Sequence, residues 1–295
     1  MVLPDHPKTA AVGILCGAGA ALFWAVGFVA ARHGIDSGFS PADLTLHRFV
    51  WGGLVLLPLL ARKGFSDLNG MGWRRGIALT ILGGPGLALV SYSGFLLVPL
   101  GHGGVIQPSS AALGGLLLAT LVLKERLPVS RVVGALLIVG GLVVIGAEAL
   151  ATIGAHGLFG DLLFVTAGLF FATFGMLLRH WRISPTHATV IISVLSLAGV
   201  PMQWALAGFE RMIALGLWEN ILQALAQGIL AGPAAIYLFA RSVVLLGAGR
   251  AAVFPSLVPG FTLLMGYLLL GEVPSLMQLL GFAVVAIGFR FAQMR

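Results

Sequence analysis

Apolar residues run along this chain in blocks of about 20, each closed by charged residues or by a Gly/Pro cluster. The blocks fall near 11–31, 42–61, 76–98, 103–123, 130–148, 160–180, 187–208, 218–240, 249–270 and 275–293. A helix rises about 1.5 Å per residue, so about 20 apolar residues cross a hydrocarbon layer of ~30 Å. Ten such blocks predict an all-α integral membrane protein with ten transmembrane helices.

The pattern repeats itself. QPSSAALGGLLLATLVLKE (107–125) and FPSLVPGFTLLMGYLLLGE (254–272) share a Pro-Ser head and a closing Glu at an offset of 147, half of 295 residues. LFWAVGFVAARH (22–33) aligns with LFFATFGMLLRH (169–180) at the same offset, and Gly134 and Gly141 meet Gly281 and Gly288. With small shifts, Ser40-Pro41 meets Ser184-Pro185, and Gly84-Pro85 meets Gly232-Pro233. The chain therefore reads as two five-helix copies, residues 1–148 and 149–295. Five is odd, so the second copy enters the membrane from the opposite side. Inverted repeats of this kind build alternating-access transporters, with the substrate site near the midplane between the copies.

Composition agrees: 59% of residues are hydrophobic and 9% charged, against about 25% charged in soluble domains. The net charge of +7 would suit nucleic acid, but the Lys and Arg sit in the short loops. With a cytoplasmic N-terminus, inside segments hold 14 of the 17 basic residues, outside segments hold Arg32 and Arg211, and Arg48 lies within a span. That asymmetry places both termini in the cytoplasm. Nucleic acid is excluded as a partner; the lipid bilayer and a small molecule remain. The lone Cys16 forms no intrachain disulfide, the seven His show no metal-ligand spacing, and no phosphate-binding glycine loop exists. No catalytic cluster points to an enzyme, and no cofactor is implied.

The stretches LHRFVWGGLVLLPLL (46–60), PSSAALGGLLLATLVLKERLPVSRVVGALLIVGGLVVIG (108–146) and its second copy over 254–288 resemble the EamA-type transporters of the drug/metabolite transporter superfamily. That resemblance implies export of small metabolites such as amino acids, aromatic or apolar ones among them, across the bacterial inner membrane. Uptake of metabolites, or a channel or lipid scramblase on the same scaffold, are the alternatives. The oligomeric state stays open, a monomer being compatible.

Candidate site residues follow from the same symmetry. Trp24 and Phe171 occupy equivalent mid-depth positions and could sandwich a planar or apolar side chain across the repeat axis; ordinary packing is the plain alternative. Tyr92, beside Ser91 and Ser93, and Tyr237 lie away from the interfaces where Tyr collects, so each needs a polar partner. Gln107, Ser109 and Ser110 surround Pro108, while Phe254 and Ser256 surround Pro255. Each proline displaces the carbonyl four residues earlier, at Gly104 and Ala251, so Pro108, Pro255 and Pro259 read as hinges or gates, with the ninth span the more distorted. Arg48, about 10 Å down the second helix, is the clear intramembrane charge and could hold a substrate carboxylate; snorkelling or carbonyl capping is its alternative. Its neighbour His47 is a weaker candidate. Glu125 and Glu272 end the two copies near the start of the next helix, where a carboxylate suits the helix dipole; a gate contact is the other reading. No carboxylate sits at mid-depth, which favours facilitated export over carboxylate-mediated proton coupling.

Overall fold

The computed structural model describes residues 7–122, 128–246, 251 and 254–292. Lys124, Glu125, Arg126 and Arg250, and with them the expected Glu125 cap, lie outside the described residues. Among the described residues every regular element is helical. In chain order these are α1 (Pro7–Ser37), α2 (Pro41–Lys63), α3 (Trp73–Gly83), α4 (Pro85–Gly94), α5 (Leu100–Leu121), α6 (Val129–Thr152) and α7 (Ala155–His180). There follow α8 (Pro185–Leu195), α9 (Gly199–Leu206), α10 (Glu210–Ala214), α11 (Gly216–Gln223), α12 (Ala235–Leu246), α13 (Val258–Met265) and α14 (Leu276–Ala292). Among the described residues seven stretches are long and apolar enough to cross a membrane: 10–37, 41–62, 73–94, 129–152, 155–180, 186–206 and 216–246. The helix α5 has 22 residues, and Phe254–Leu270 and Leu276–Ala292 are shorter apolar helices.

Several boundaries are written locally. Ser40 caps α2 by accepting from the Asp43 amide, and the Asp43 carboxylate accepts from the Ser40 amide in return. Ser184 caps α8 through the His187 amide. Each cap is followed by a proline at a position whose N–H would be unpaired in any case.

Two helices are broken at matching points. The stretch 73–94 changes direction at Gly84 (φ −120°, ψ −133°), and 216–246 at Gly232 (φ −90°, ψ −110°), inside a π-helical run from Ala224 to Ala234. The following residue is Pro85 in one and Pro233 in the other. Proline lacks an amide hydrogen and clashes with the preceding turn, while glycine tolerates the non-helical backbone. At Pro108, read above as a hinge or gate, α5 runs on as one helix. Ser109 Oγ donates to the Val105 carbonyl (2.6 Å) in the loosened turn, and α7 packs along the helix at that level, with Gly168 against Gln107 and Ser110. Pro255 lies in a 3₁₀ turn (Phe254–Leu257) and Pro259 in the first turn of α13, which passes into a π-helical turn over Gly266–Leu270. The ninth segment is thus more distorted than the fourth.

Packing between the copies relies on close backbone approach. Along α6 and α14, a Cβ on Gly134 would meet the Gly288 carbonyl and Ala292, and one on Gly141 would meet the Gly281 carbonyl and Val285. The register shows that α6 and α14 run antiparallel. Small residues at helix crossings are how membrane helices gain packing where lipid removes the hydrophobic drive. One apolar core gathers Phe95, Val105, Ile138, Ile145 and Phe164, and a second gathers Leu60, Leu68, Leu79 and Ile191. Leu15, Val55, Leu136, Trp204 and Leu268 point outward and are exposed, as lipid-facing positions require.

Candidate functional site

Four helical segments converge on Arg48. Its Nη1 donates to Gln227 Oε1 (3.1 Å) and to Tyr92 Oη (3.3 Å). Tyr92 donates to the same Gln227 oxygen (2.9 Å), and Gln227 Nε2 donates to the Gly27 carbonyl of α1 (2.8 Å). A Cβ on Gly27 would meet Ala231 at 2.6 Å, with Arg48 and Gln227 at ordinary contact distance, so glycine there admits the close approach of the segment that carries Gln227. Tyr92 and Gln227 are buried, while Arg48 is half-buried. No carboxylate lies within ion-pair distance of Arg48 among the described residues, and its partners are neutral.

Neutral groups extend the cluster. Ser91 Oγ donates to Gln107 Oε1. His47 Nδ1 accepts from Trp51 Nε1 (3.3 Å), which leaves the ring proton on Nε2 to donate to Asn220 Oδ1 (3.0 Å). Gln223 Nε2 donates to the Ala30 carbonyl (2.9 Å). Asn220, Gln223 and Gln227 lie at i, i+3 and i+7, one face of the helix by the 3.6-residue period. Sequence reasoning missed all three, although amides at that spacing inside an apolar block are a readable signal.

Other expected residues are elsewhere. Trp24 pairs with Phe239 (centroids 5.4 Å apart), one turn from Gly27. Phe171 does not face it: that ring is 50% exposed and lies beside Phe174. Tyr237 is 67% exposed, so its phenol is not in a buried site. The equivalence of Phe171 with Trp24 gave depth but not the face of the helix. Ser109 and Ser110 are buried on α5, where it packs on α7, and Phe254 sits against Gly17 of α1. Ser256 lines a groove beside α14 with Phe282 and Phe289.

A second charged cluster lies at the end of α1. Arg32 Nε approaches Glu272 Oε1 (2.8 Å) and Asp36 Oδ2 (3.2 Å), and Arg32 Nη1 donates to the Phe95 carbonyl (2.7 Å). The other Glu272 oxygen accepts from the Leu100 amide (2.9 Å). Glu272 therefore caps α5, not the helix that follows it; α14 is capped by Ser275 and Gln278 reciprocally. The expected cap is real in kind and wrong in address, because the chain folds Gly271–Ser275 over the start of α5. Beside Arg32 in the chain, His33 meets Glu219 (3.0 Å).

The EamA-like transporter family matches the chain twice, over residues 11–147 and 158–292. The chain belongs to that family. It is therefore a multi-pass membrane transporter, not an enzyme, built from two EamA repeats. Eleven solved chains also match it. One crystal structure superposes with a TM-score of 0.60 over 98% of this chain and 97% of the other, at 20% identity; likeness at that identity shows the fold alone. No curated protein matches.

Within this EamA chain, one buried ionisable pair was not anticipated. His102 Nδ1 meets Asp161 Oδ1 (2.9 Å) between α5 and α7. Both side chains are buried, and the second Asp161 oxygen has no partner among the described residues. Asp161 lies six residues into α7, near the end of the helix as its position in the sequence suggested, and its partner joins the two EamA copies. No group of three or more His, Cys, Asp or Glu could hold a metal ion among the described residues.

Proposed function

We propose that this transporter is a carrier of small carboxylate-bearing metabolites, amino acids first, moving them outward across a bacterial inner membrane by alternating access. In this reading ten helices span the membrane as two inverted five-helix copies, with both termini in the cytoplasm. The antiparallel pairing of α6 with α14, equivalent helices of the two copies, supports the inversion, and the basic residues of the loops support the orientation.

One observation carries the substrate class. Arg48 is a cation about 10 Å inside a membrane helix whose partners, Tyr92 and Gln227, are both neutral. An unneutralised cation at that depth is expensive, and it is retained where it meets a water-filled path or an anion. A guanidinium binds a carboxylate through two parallel hydrogen bonds, the geometry an amino acid offers. The Trp24–Phe239 pair one turn away suits an apolar or aromatic side chain. Gln107, tied to Ser91, adds an amide that could complete the polar wall.

The test is efflux from proteoliposomes preloaded with a panel of amino acids and their decarboxylated amines. Saturable efflux of the acids with little efflux of the amines is expected. Equal flux of acid and amine, or no saturable efflux across the panel, would sink the proposal.

A further inference from the structure

A crevice of about 270 Å³ opens beside the Arg32–Glu272 pair, between the end of α1, the start of α5, α13 and α14. Its volume falls just below the range of about 300 Å³ upward usual for ligand pockets, room for a small metabolite. Thr262 lines it with a fully buried side chain, and its hydroxyl has no partner among the described residues. A buried hydroxyl left unpaired costs free energy unless something transient satisfies it. Gln278 lines the same wall with its Oε1 engaged by the Ser275 amide, which leaves its Nε2 amide as a donor. Gly101 and Gly104 of α5 let Gln278 and Thr262 approach this closely. With Arg32, the wall offers three donors around one small space.

We infer that this crevice is a second station for the transported carboxylate, in which the substrate takes Arg32 from Glu272 and hydrogen-bonds Thr262 and Gln278. The inference rests on the carboxylate reading of the central site. Donors of this kind match carboxylate oxygens. Glu272 is itself a carboxylate, bound to Arg32 on one oxygen and to the Leu100 amide on the other. It keeps the second bond when the first is exchanged, and Asp36, the other carboxylate on Arg32, is half exposed to water. Because Arg32 belongs to the first copy and Glu272 to the second, filling the station also unties the two copies at this rim.

The experiment uses the full-length protein with Cys16→Ser and Val273→Cys, which places a thiol at an exposed position lining the crevice. The rate of thiol labelling by an anionic methanethiosulfonate is measured with phenylalanine or with phenethylamine present. Phenylalanine is expected to slow labelling severalfold and phenethylamine to leave it unchanged. Arg32→Gln should remove the protection. Thr262→Val, which keeps the side-chain shape, should raise the protecting concentration about fivefold, the value of one neutral hydrogen bond. No protection by phenylalanine, equal protection by the amine, or protection that survives Arg32→Gln overturns the inference. Arg48→Gln separates the two sites. If it leaves efflux intact, the central reading fails while the rim result stands; if it stops efflux and rim protection persists, both stand.

Discussion

Two arginines in this transporter sit on neighbouring helices and are solved in opposite ways. Arg32, near the end of α1, is met by two carboxylates, Glu272 and Asp36, and by the Phe95 carbonyl. Arg48, deeper in α2, is met by a phenol and an amide. Where water reaches, the protein neutralises a guanidinium with its own anions. At Arg48 it holds the guanidinium with dipoles alone. On the carboxylate reading proposed above, the substrate supplies the counter-charge there, whereas at the rim it displaces one that the protein already provides.

The comparison can be broken at its centre. Arg48→Gln should lower carboxylate efflux by roughly tenfold to a hundredfold, the value of a hydrogen bond to a charged group. Unchanged KM and rate in proteoliposomes would make Arg48 structural. Gln227→Glu sharpens the contrast by giving Arg48 the partner that Arg32 has. Folding should persist, seen in an unchanged melting temperature, while carboxylate affinity falls at least tenfold; undiminished affinity would show that the substrate does not use the guanidinium. Tyr92→Phe removes one acceptor of Arg48 and one donor to Gln227, and should raise KM about fivefold. At the rim, the exchange Arg32→Glu with Glu272→Arg should not restore wild-type stability, because the Leu100 amide needs an acceptor at position 272. The deficit should be about 1 kcal/mol in a denaturation series, and full restoration would refute the capping role. Smallest of all, Phe171→Leu and Tyr237→Phe should leave KM unchanged, both side chains lying outside the bundle interior.

The repeat was legible from the sequence because a duplicated chain keeps its register: offsets of 147 tie Gly134, Gly141, Gly281 and Gly288, and the Gly-Pro pairs mark both helix breaks. Arg48 and Tyr92 were legible because a cation and a phenol inside apolar blocks demand partners. What the blocks hide is rotation about the helix axis. Phe171 and Tyr237 are exposed rather than buried, and nothing in a uniformly apolar surround reports which side meets lipid. Pro108 is a related case. A proline inside a run does not by itself say where the helix ends, and α5 continues through it where α7 packs alongside. Gln227 carried a signal that went unread, an amide on the same helical face as Asn220 and Gln223. The Arg32–Glu272 pair joins residues 240 apart in the chain, beyond any local pattern.

The glycine contacts between α6 and α14 have one more consequence. Gly134 meets Gly288, and Gly141 meets Gly281; subtracting the repeat offset, position 134 meets position 141 and position 141 meets position 134. This is the reciprocity of a two-fold dimer interface, where one patch serves both partners. The surface was self-complementary irrespective of the peptide bond that now joins the copies. Each EamA repeat thus presents, along this helix, a surface matched to its own counterpart in the other repeat.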